Sequence, residues 1–273
     1  MQALHGKVAL VTGASAPKGI GRAIAQRLAQ DGAHVVVTDI SRAIEGGMTT
    51  RAGLLDALTQ DIITRGGSAL ALTLDVTSAR DIAAVLEQVL ARFGRLDILV
   101  NNAGSLAGSD NFLSTNAAQW TSSFEVNLLG PMMLSQAVIP EMRKLGGGRI
   151  INIGSTGSLG AEAGFGAYTA MKHGLVGLTK TLAAEFGPDG ILCNTVCPGF
   201  IATDIHEAAN TRLSQKQGMS VADIKQQRYA NVALRDAGLP QDVANAVAFL
   251  AGPEAQYVTG INLPVTGGVP FGI

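Results

Sequence analysis

Apolar and polar positions along this chain predict strands and helices that follow one another from end to end. Short apolar runs rich in β-branched residues predict buried strands, and the longer segments between them have helical periodicity. This alternation is typical of a parallel sheet with helices on both faces. The predicted strands are residues 8–12, 33–38, 69–74, 96–100, 149–153, 191–196 and 261–265. The predicted helices are residues 20–31, 50–65, 78–93, 117–144, 165–186, 204–230 and 240–251.

No internal repeat or low-complexity linker divides these elements. The pattern therefore predicts one α/β domain over residues 1–273, built on a doubly wound sheet of about seven parallel strands. Two stretches are longer than simple alternation needs, residues 41–59 and residues 200–234. The second is polar with scattered apolar positions, which indicates a mobile helical lid.

Composition supports a large core and argues against several classes of partner. Of the 273 residues, 47% are hydrophobic and only 15% are charged, so extensive burial is expected within the domain or between subunits. A net charge of −1 without a basic block argues against nucleic acid as the main partner. No apolar run approaches the roughly 18 residues of a membrane span, so no membrane partner is expected.

The cysteines and the first residues bear on location and metal binding. Cys193 and Cys197 are the only cysteines, and without a neighbouring His or Cys cluster their spacing makes a poor metal site. Residues 1–10 lack the long apolar core of a signal peptide. We therefore expect a cytoplasmic protein without a metal ion.

The strongest candidate chemistry follows the predicted strand 149–153, where Ser155 enters a glycine-rich loop. Tyr168 lies thirteen residues further on, and Lys172 follows four residues after it, so a helix places both on one face. A free tyrosine has a pKa near 10, and a neighbouring ammonium is expected to lower that pKa toward the range of general acid–base catalysis. Ser155 is expected to hydrogen-bond the reacting oxygen.

A second candidate site lies between the first strand and the first helix. Gly13, Gly19 and Gly21 let the backbone approach a pyrophosphate, which the N-terminus of a helix attracts through free N–H groups. Asp39 ends the next strand, eighteen residues after Gly21. An acidic residue there can accept hydrogen bonds from both ribose hydroxyls of NAD and repel the extra phosphate of NADP.

These features together resemble the short-chain dehydrogenase/reductase family of Rossmann-like oxidoreductases. The resemblance covers almost the whole chain and implies a nucleotide-binding half (residues 1–150), a catalytic and substrate half (residues 150–273) and a lid (residues 200–234). The motifs that carry it are Gly13 with Gly19-Ile20-Gly21, Asn101-Asn102-Ala103-Gly104, Asn127, Ser155, Tyr168, Lys172 and Pro198-Gly199.

The resemblance also implies a role for each matching residue. Tyr168 would be the general acid/base, and Lys172 would lower its pKa and bind the nicotinamide ribose. Ser155 would orient the reacting oxygen, and Asn127 would hold a water that links Lys172 to solvent. The implied cofactor contacts are Gly13, Ser15, Gly19, Ile20, Gly21, Asp39, Ile40, Asp75, Val76, Asn102, Ala103, Gly104, Tyr168, Lys172, Pro198, Gly199, Ile201 and Thr203.

The chain departs from the family pattern at the cofactor end. Five residues separate Gly13 from Gly19, where the family usually has three, so Pro17 and Lys18 are expected to bulge outward and Ser15 to lose its usual phosphate contact. Lys18 and Arg42 are basic residues that could reach a 2′-phosphate. We favour NAD over NADP, because the Asp39 carboxylate would lie against that phosphate.

The substrate is expected to meet Ser155 and Gly157, the loop 159–165 and the lid. Phe165 and Phe200 would form an apolar wall, and Glu162 or His206 would make a polar contact. Neither residues 155–167 nor residues 198–210 contain Lys or Arg, so a strongly anionic substrate is disfavoured unless Arg212, Lys216 or Arg228 folds in from the lid.

Three functions compete. An NAD-dependent dehydrogenase of a secondary alcohol, such as a sugar or polyol, is favoured, followed by a 3-oxoacyl-(acyl-carrier-protein) reductase. Gly146 and Asp189 stand where such reductases place basic residues that dock the acidic carrier, although Arg143 and Lys144 are close by. A catalytically silent NAD-binding regulator ranks third, because the implied catalytic residues are intact. The resemblance also implies a homotetramer or homodimer formed by helices 117–144 and 165–186.

Overall fold

A seven-stranded parallel sheet lies at the centre of the molecule, as the sequence predicts. The structure, a computed structural model, describes residues 2–41 and 50–270. The strands are β1 (Val8–Thr12), β2 (His34–Asp39), β3 (Ser68–Thr73), β4 (Ile98–Asn101), β5 (Gly148–Ile153), β6 (Ile191–Pro198) and β7 (Asn262–Val265). Their order across the sheet is β3-β2-β1-β4-β5-β6-β7. The single-domain, doubly wound α/β fold is confirmed.

Helices cover both faces of this sheet because its central strands are apolar on both sides. The helices are α1 (Ile20–Gln30), α2 (Arg51–Thr64), α3 (Ala79–Phe93), α4 (Ala117–Phe124), α5 (Gly130–Lys144), α6 (Gly166–Phe186), α7 (Asp204–Gln217), α8 (Val221–Tyr229) and α9 (Pro240–Ala251). One face packs against α1, α2 and α9, through side chains such as Leu28, Leu58 and Val247. The opposite face packs against α3, α5 and α6, through side chains such as Val89 and Leu134.

Two predicted helices are interrupted. The predicted helix 117–144 contains a π-helical turn at Glu125–Leu129, which separates α4 from α5. The apolar pattern continues across this turn, so periodicity alone did not indicate it. The predicted helix 204–230 is divided where Gly218 adopts a left-handed φ of 65° and ends α7. Ser220 then caps α8 by accepting a hydrogen bond from Asp223 N, a start signal that the sequence interpretation overlooked.

The strand order places a crevice at the carboxyl ends of β1 and β4. The chain leaves β1 toward β2 on one side and β4 toward β5 on the other, so the connections part between these two adjacent strands. Open α/β sheets bind ligands at such a switch point. The glycine loop after β1 and the Asn-Asn-Ala-Gly segment after β4 meet there. No helix among residues 2–41 and 50–270 is long and apolar enough to cross a membrane.

We predict that Gly21→Ala destabilises the fold, because an added methyl group has no room in the first turn of α1. A Cβ at Gly21 would lie 2.7 Å from Gly13 O and would also meet the Asn102 amide. The expected loss in the free energy of unfolding is roughly 1–3 kcal/mol, measured by urea denaturation. Gly177→Ala in α6 is the matched control, because its Cβ would meet no atom within 4 Å. Equal stabilities of the two variants would contradict this account of the packing.

Candidate active site

The glycine loop and the first turn of α1 form an uncapped helix N-terminus. Gly19 occupies the N-cap position of α1, and no side chain of the described residues accepts a hydrogen bond from its first turn. Free N–H groups of this kind attract anions. Pro17 and Lys18 are exposed, and Lys18 N donates to Asp204 Oδ2 over 2.9 Å, which ties the widened loop to the start of α7. The loop therefore fits a pyrophosphate at the place where the motif predicted it.

Asn102 holds the two edges of the crevice together. Its Nδ2 donates to Thr12 O over 2.7 Å and to Gly13 O over 2.9 Å. Thr12 Oγ1 in turn accepts from the backbone N of Asn102 and of Ala103, both at 3.0 Å. This close approach requires glycine at position 13, where a Cβ would lie 2.9 Å from Ala103 Cα. The Asn-Asn-Ala-Gly segment thus shapes the crevice.

Asp39 lies at the end of β2 beside Ser15. Ser15 is buried, and its backbone N and Oγ donate to Asp39 Oδ2 over 3.1 and 2.6 Å. The Ser15 hydroxyl is therefore directed at Asp39, which agrees with the expected loss of its usual phosphate contact. Arg51, at the start of α2, also approaches Asp39, with Nη1 3.6 Å from Oδ1. Arg51 was not among the predicted site residues, because it lies within the long stretch 41–59, which carries no family motif.

The other implied cofactor contacts lie along the same edge of the sheet. Asp75 follows β3, and its Oδ1 accepts from Thr77 N over 2.9 Å and Thr77 Oγ1 over 2.7 Å. Pro198 ends β6, and Thr203 caps α7 by accepting from His206 N. Arg42 lies outside the described residues. The remaining implied contacts, which also follow strands or begin helices at this edge, are Ile20, Ile40, Val76, Gly104, Gly199 and Ile201.

Ser155, Tyr168 and Lys172 come together as their spacing predicted. Ser155 follows β5 and begins a short turn, with its Oγ accepting from Gly157 N over 3.1 Å. Tyr168 and Lys172 lie one turn apart in α6, and the Lys172 Nζ lies 5.6 Å from the centroid of the Tyr168 ring. Lys172 is buried, and its Nζ donates to Ile153 O at the end of β5 over 2.8 Å.

The expected lowering of the Tyr168 pKa by Lys172 is wrong, because the pKa of Tyr168 is raised. Burial raises the pKa of Tyr168 above its ordinary value, and the hydrogen bond with Ser155 offsets this only in part. The lysine itself is desolvated, and burial lowers the pKa of Lys172 to about 8. The ammonium faces the ring and Ile153 O, so the cost of desolvating a phenolate outweighs its attraction. Tyr168 is thus a neutral proton donor at pH 7.

Asn127 lies in the π-helical turn, completely buried. Its Nδ2 donates to Ser105 O over 2.8 Å, and its Oδ1 accepts from Ser105 N over 3.1 Å. A Cβ at Gly104 would lie 3.3 Å from Asn127 Oδ1 and 3.9 Å from Lys172 Nζ, so these residues converge on one small space. The Asn127 side chain is therefore occupied in fixing the loop after β4, beside the buried lysine.

A buried polar network behind the site was missed by the sequence analysis. Asn101 Nδ2 donates to Asn152 Oδ1, Asn152 Nδ2 donates to Thr179 Oγ1, and Thr195 Oγ1 donates to the same Thr179 oxygen, each over 2.8 Å. These side chains join β4, β5, β6 and α6 in the middle of the sheet. Polar residues near the ends of apolar strands were the available signal. The network ties α6 to the strand that carries Ser155, while Asn101 Oδ1 is buried without a hydrogen-bond partner among the described residues.

Residues 200–234, the stretch predicted as a lid, contain an aromatic cluster formed by Phe200, His206 and Tyr229. His206 Nε2 and Tyr229 Oη lie 2.7 Å apart, and the two rings stack with centroids separated by 5.9 Å. Phe200 packs against both rings, and the Arg228 guanidinium lies 5.1 Å from its centroid. Burial, followed by the nearby Arg228, lowers the pKa of His206 to about 4. His206 is therefore neutral at pH 7.

The remaining predicted substrate contacts differ in placement. Phe165 meets Tyr168 edge-on with ring centroids 6.3 Å apart, as an apolar wall requires. Gly157 lies beside the same ring, since a Cβ there would be 3.7 Å from Tyr168 Cδ1. Glu162 is exposed on the loop that precedes α6.

Comparison with known proteins agrees with this geometry. A family model described as enoyl-(acyl carrier protein) reductase matches residues 13–270. The 3-oxoacyl-(acyl-carrier-protein) reductase FabG of Vibrio cholerae is 40% identical over 269 residues, 97% of this chain and 98% of that protein. The FabG of Escherichia coli is 41% identical over 265 residues, with the same coverage of 97% and 98%.

Solved structures give the same result. A levodione reductase superposes with a TM-score of 0.87 at 29% identity, over 97% of this chain and 98% of its own. An actinorhodin polyketide ketoreductase variant with NADPH gives a TM-score of 0.86 at 35% identity, over 96% of this chain and 97% of its own. This chain belongs to the short-chain dehydrogenase/reductase family, as its motifs indicated. It is an oxidoreductase with a Rossmann-like site for a nicotinamide cofactor.

We predict that the buried Lys172 gives the folding stability a specific pH dependence. The pKa of Lys172 falls from its ordinary value of 10.5 to about 8 on folding. Between these values the unfolded chain binds more protons than the folded chain, so this residue makes stability rise with pH. Relative to Lys172→Met, the wild type should gain up to roughly 3 kcal/mol between pH 8 and 10.5.

Urea denaturation of both proteins at pH 7.5, 9 and 10 measures this difference, with roughly one pH unit of tolerance on its midpoint. Burial raises the pKa values of Cys193 and Cys197 to about 12 and about 11. Subtracting the variant removes the contribution of Cys193, whereas Lys172 also acts on the pKa of Cys197, whose contribution does not cancel completely. A stability difference that stays constant over this range would contradict a desolvated lysine.

Proposed function

We propose that this protein is a ketoreductase of the 3-oxoacyl thioester class, the function that ranked second in the sequence analysis. The observation that carries the proposal is the geometry at the end of β5, where Tyr168 lies beside Ser155 and the buried Lys172 donates to Ile153 O. A neutral phenol donates a proton, and reduction of a ketone needs a proton donor at the carbonyl oxygen. The names of the most similar curated relatives support the same class of reaction.

The residues divide the chemistry among them. Ser155 hydrogen-bonds the substrate oxygen, and Tyr168 Oη gives its proton to that oxygen as the alkoxide forms. The positive charge of Lys172 then lies beside the new phenolate and stabilises it. Phe165 and Phe200 exclude water from the reacting carbon.

The chain's own groups fit a nicotinamide cofactor. The uncapped N-terminus of α1 would hold its pyrophosphate, and the residues after β3 and β4 would hold its adenosine. Lys172 would hold the nicotinamide ribose, and Pro198, Gly199 and Thr203 would hold the nicotinamide. When bound, the reduced cofactor supplies the hydride. We propose NAD(H) as the preferred form, because Asp39 places a carboxylate at the end of β2; the NADPH of the polyketide ketoreductase supports the opposite choice.

A secondary-alcohol dehydrogenase, acting on a sugar or polyol, is the second candidate, and one observation favours it. Arg143 Nε donates to Asp189 Oδ2 over 2.7 Å, and its guanidinium lies 5.1 Å from the centroid of the Phe186 ring. The charge closest to the expected carrier-docking surface is therefore neutralised. A silent NAD-binding regulator finds no support, since the catalytic residues converge. Assembly into a homotetramer or homodimer stays a prediction.

We predict that Tyr168→Phe removes turnover and leaves the cofactor site intact. Reduction of acetoacetyl-CoA, followed by loss of nicotinamide absorbance at saturating NADH, should fall at least roughly 100-fold without the proton donor. The dissociation constant of NADH should stay within about twofold. Tyr257→Phe is the matched control, because Tyr257 is completely exposed. Residual activity above a few per cent would contradict the role of Tyr168.

Absence of acetoacetyl-CoA turnover by the wild type, with sugars and polyols oxidised instead, would favour the second candidate.

We predict that the wild type gains little from a carrier protein. The KM for an acetoacetyl carrier protein should lie within roughly threefold of that for acetoacetyl-CoA, because opposite surface charge is what draws the acidic carrier. Asp189→Lys frees Arg143 and adds a second cation, so it should lower the KM for the carrier substrate alone. Glu87→Lys in α3 repeats the charge change on an exposed residue elsewhere. A tenfold or larger carrier advantage in the wild type would contradict this reasoning.

A further inference from the structure

Both carboxylate oxygens of Asp39 accept hydrogen bonds from neighbouring residues of the same chain. Oδ2 accepts from Ser15 N over 3.1 Å and from Ser15 Oγ over 2.6 Å. Oδ1 accepts from Ile40 N over 2.9 Å and lies 3.6 Å from Arg51 Nη1. A ribose that binds this carboxylate must therefore compete for the Oδ1 side, where Arg51 stands.

Arg51 is the movable member of this group. Its side chain is 40% exposed, whereas that of Asp39 is 10% exposed and held by backbone and Ser15 donors. Arg51 also donates from Nη1 to Ser15 Oγ over 3.3 Å, so a single exposed guanidinium spans both neighbours. It begins α2, and Thr50 caps that helix by accepting from Gly53 N, which anchors the backbone from which the side chain extends. The side chain can leave Asp39 without unfolding the helix.

The charges of Asp39 and Arg51 bear on whether NAD or NADP can bind at the end of β2. Asp39 alone accepts two ribose hydroxyls and repels a 2′-phosphate. Arg51 adds a cation on the same side, and a planar guanidinium can bind a phosphate through two parallel hydrogen bonds. We propose that Arg51 is a cofactor-selectivity residue, which turns from Asp39 to the 2′-phosphate and makes NADP(H) a usable second cofactor beside NAD(H). This inference rests on the proposed nicotinamide chemistry.

The test measures binding of the cofactor and of its adenosine fragments, independently of turnover. Dissociation constants of the wild type, Arg51→Gln and Arg65→Gln are measured by calorimetry for NAD, NADP, 5′-AMP and adenosine 2′,5′-bisphosphate. Arg65 is the matched control, because it follows α2 at its opposite end and pairs there with Asp61. Arg51→Gln should weaken NADP and the bisphosphate roughly 10- to 100-fold, as expected for loss of a charge-assisted pair. NAD and 5′-AMP should change less than about threefold or bind more tightly.

A second variant tests the partnership. Asp39→Asn removes the repulsion of the 2′-phosphate and leaves Arg51 free, so NADP should bind this variant more tightly than the wild type. Adding Arg51→Gln to Asp39→Asn should reduce that gain in NADP affinity. Equal weakening of both cofactors by Arg51→Gln, or no change in NADP binding, would overturn the role of Arg51. A wild type that binds NAD and not NADP would overturn it as well, while the proposed reduction stays intact. Failure to bind either dinucleotide would instead overturn the proposed function.

Discussion

The hydrogen bond from Lys172 to Ile153 O is the interaction on which the site depends. It joins α6 to the end of β5, the strand that delivers Ser155. A buried ammonium is costly unless its donors are used, so the lysine is held where a carbonyl and the Tyr168 ring meet it. This cost lowers the pKa of Lys172, and the same dry environment raises that of Tyr168. One desolvated region thus sets both protonation states.

The elements around this region are fixed by polar contacts in the middle of an apolar sheet. The network of Asn101, Asn152, Thr179 and Thr195 connects three adjacent strands to α6. Because buried polar groups are costly when left unpaired, the hydrogen bonds from Asn152 and Thr195 to Thr179 favour the observed register of α6. The Asn102 amide does the same for the two loops of the crevice. The catalytic and cofactor ends of the cleft therefore share one rigid frame.

The cofactor end and the predicted substrate end of the cleft differ in how their charged side chains are arranged. At the cofactor end, Asp39 and Arg51 lie partly exposed and can exchange partners. At the predicted substrate end, residues 200–234 contain aromatic rings and a His206 kept neutral by burial. The Arg228 guanidinium lies 5.1 Å from the centroid of the Phe200 ring, so one cation borders these rings. Arg143 is paired with Asp189. Under the proposed function, charge would select the cofactor, whereas shape and apolar contact would select the ketone.

The sequence by itself determined the order of strands and helices, the parallel sheet and the positions of Ser155, Tyr168 and Lys172. These follow from short-range periodicity and from the spacing of residues within a helix or across one turn. The π-helical turn at Asn127, the partnership of Arg51 with Asp39 and the polar network behind β5 were decided only by the tertiary structure. Each joins residues that are distant in the chain or shifts a hydrogen-bond ladder without changing the apolar pattern. The direction of the Tyr168 pKa shift belongs to the same group, because desolvation depends on everything packed around the phenol.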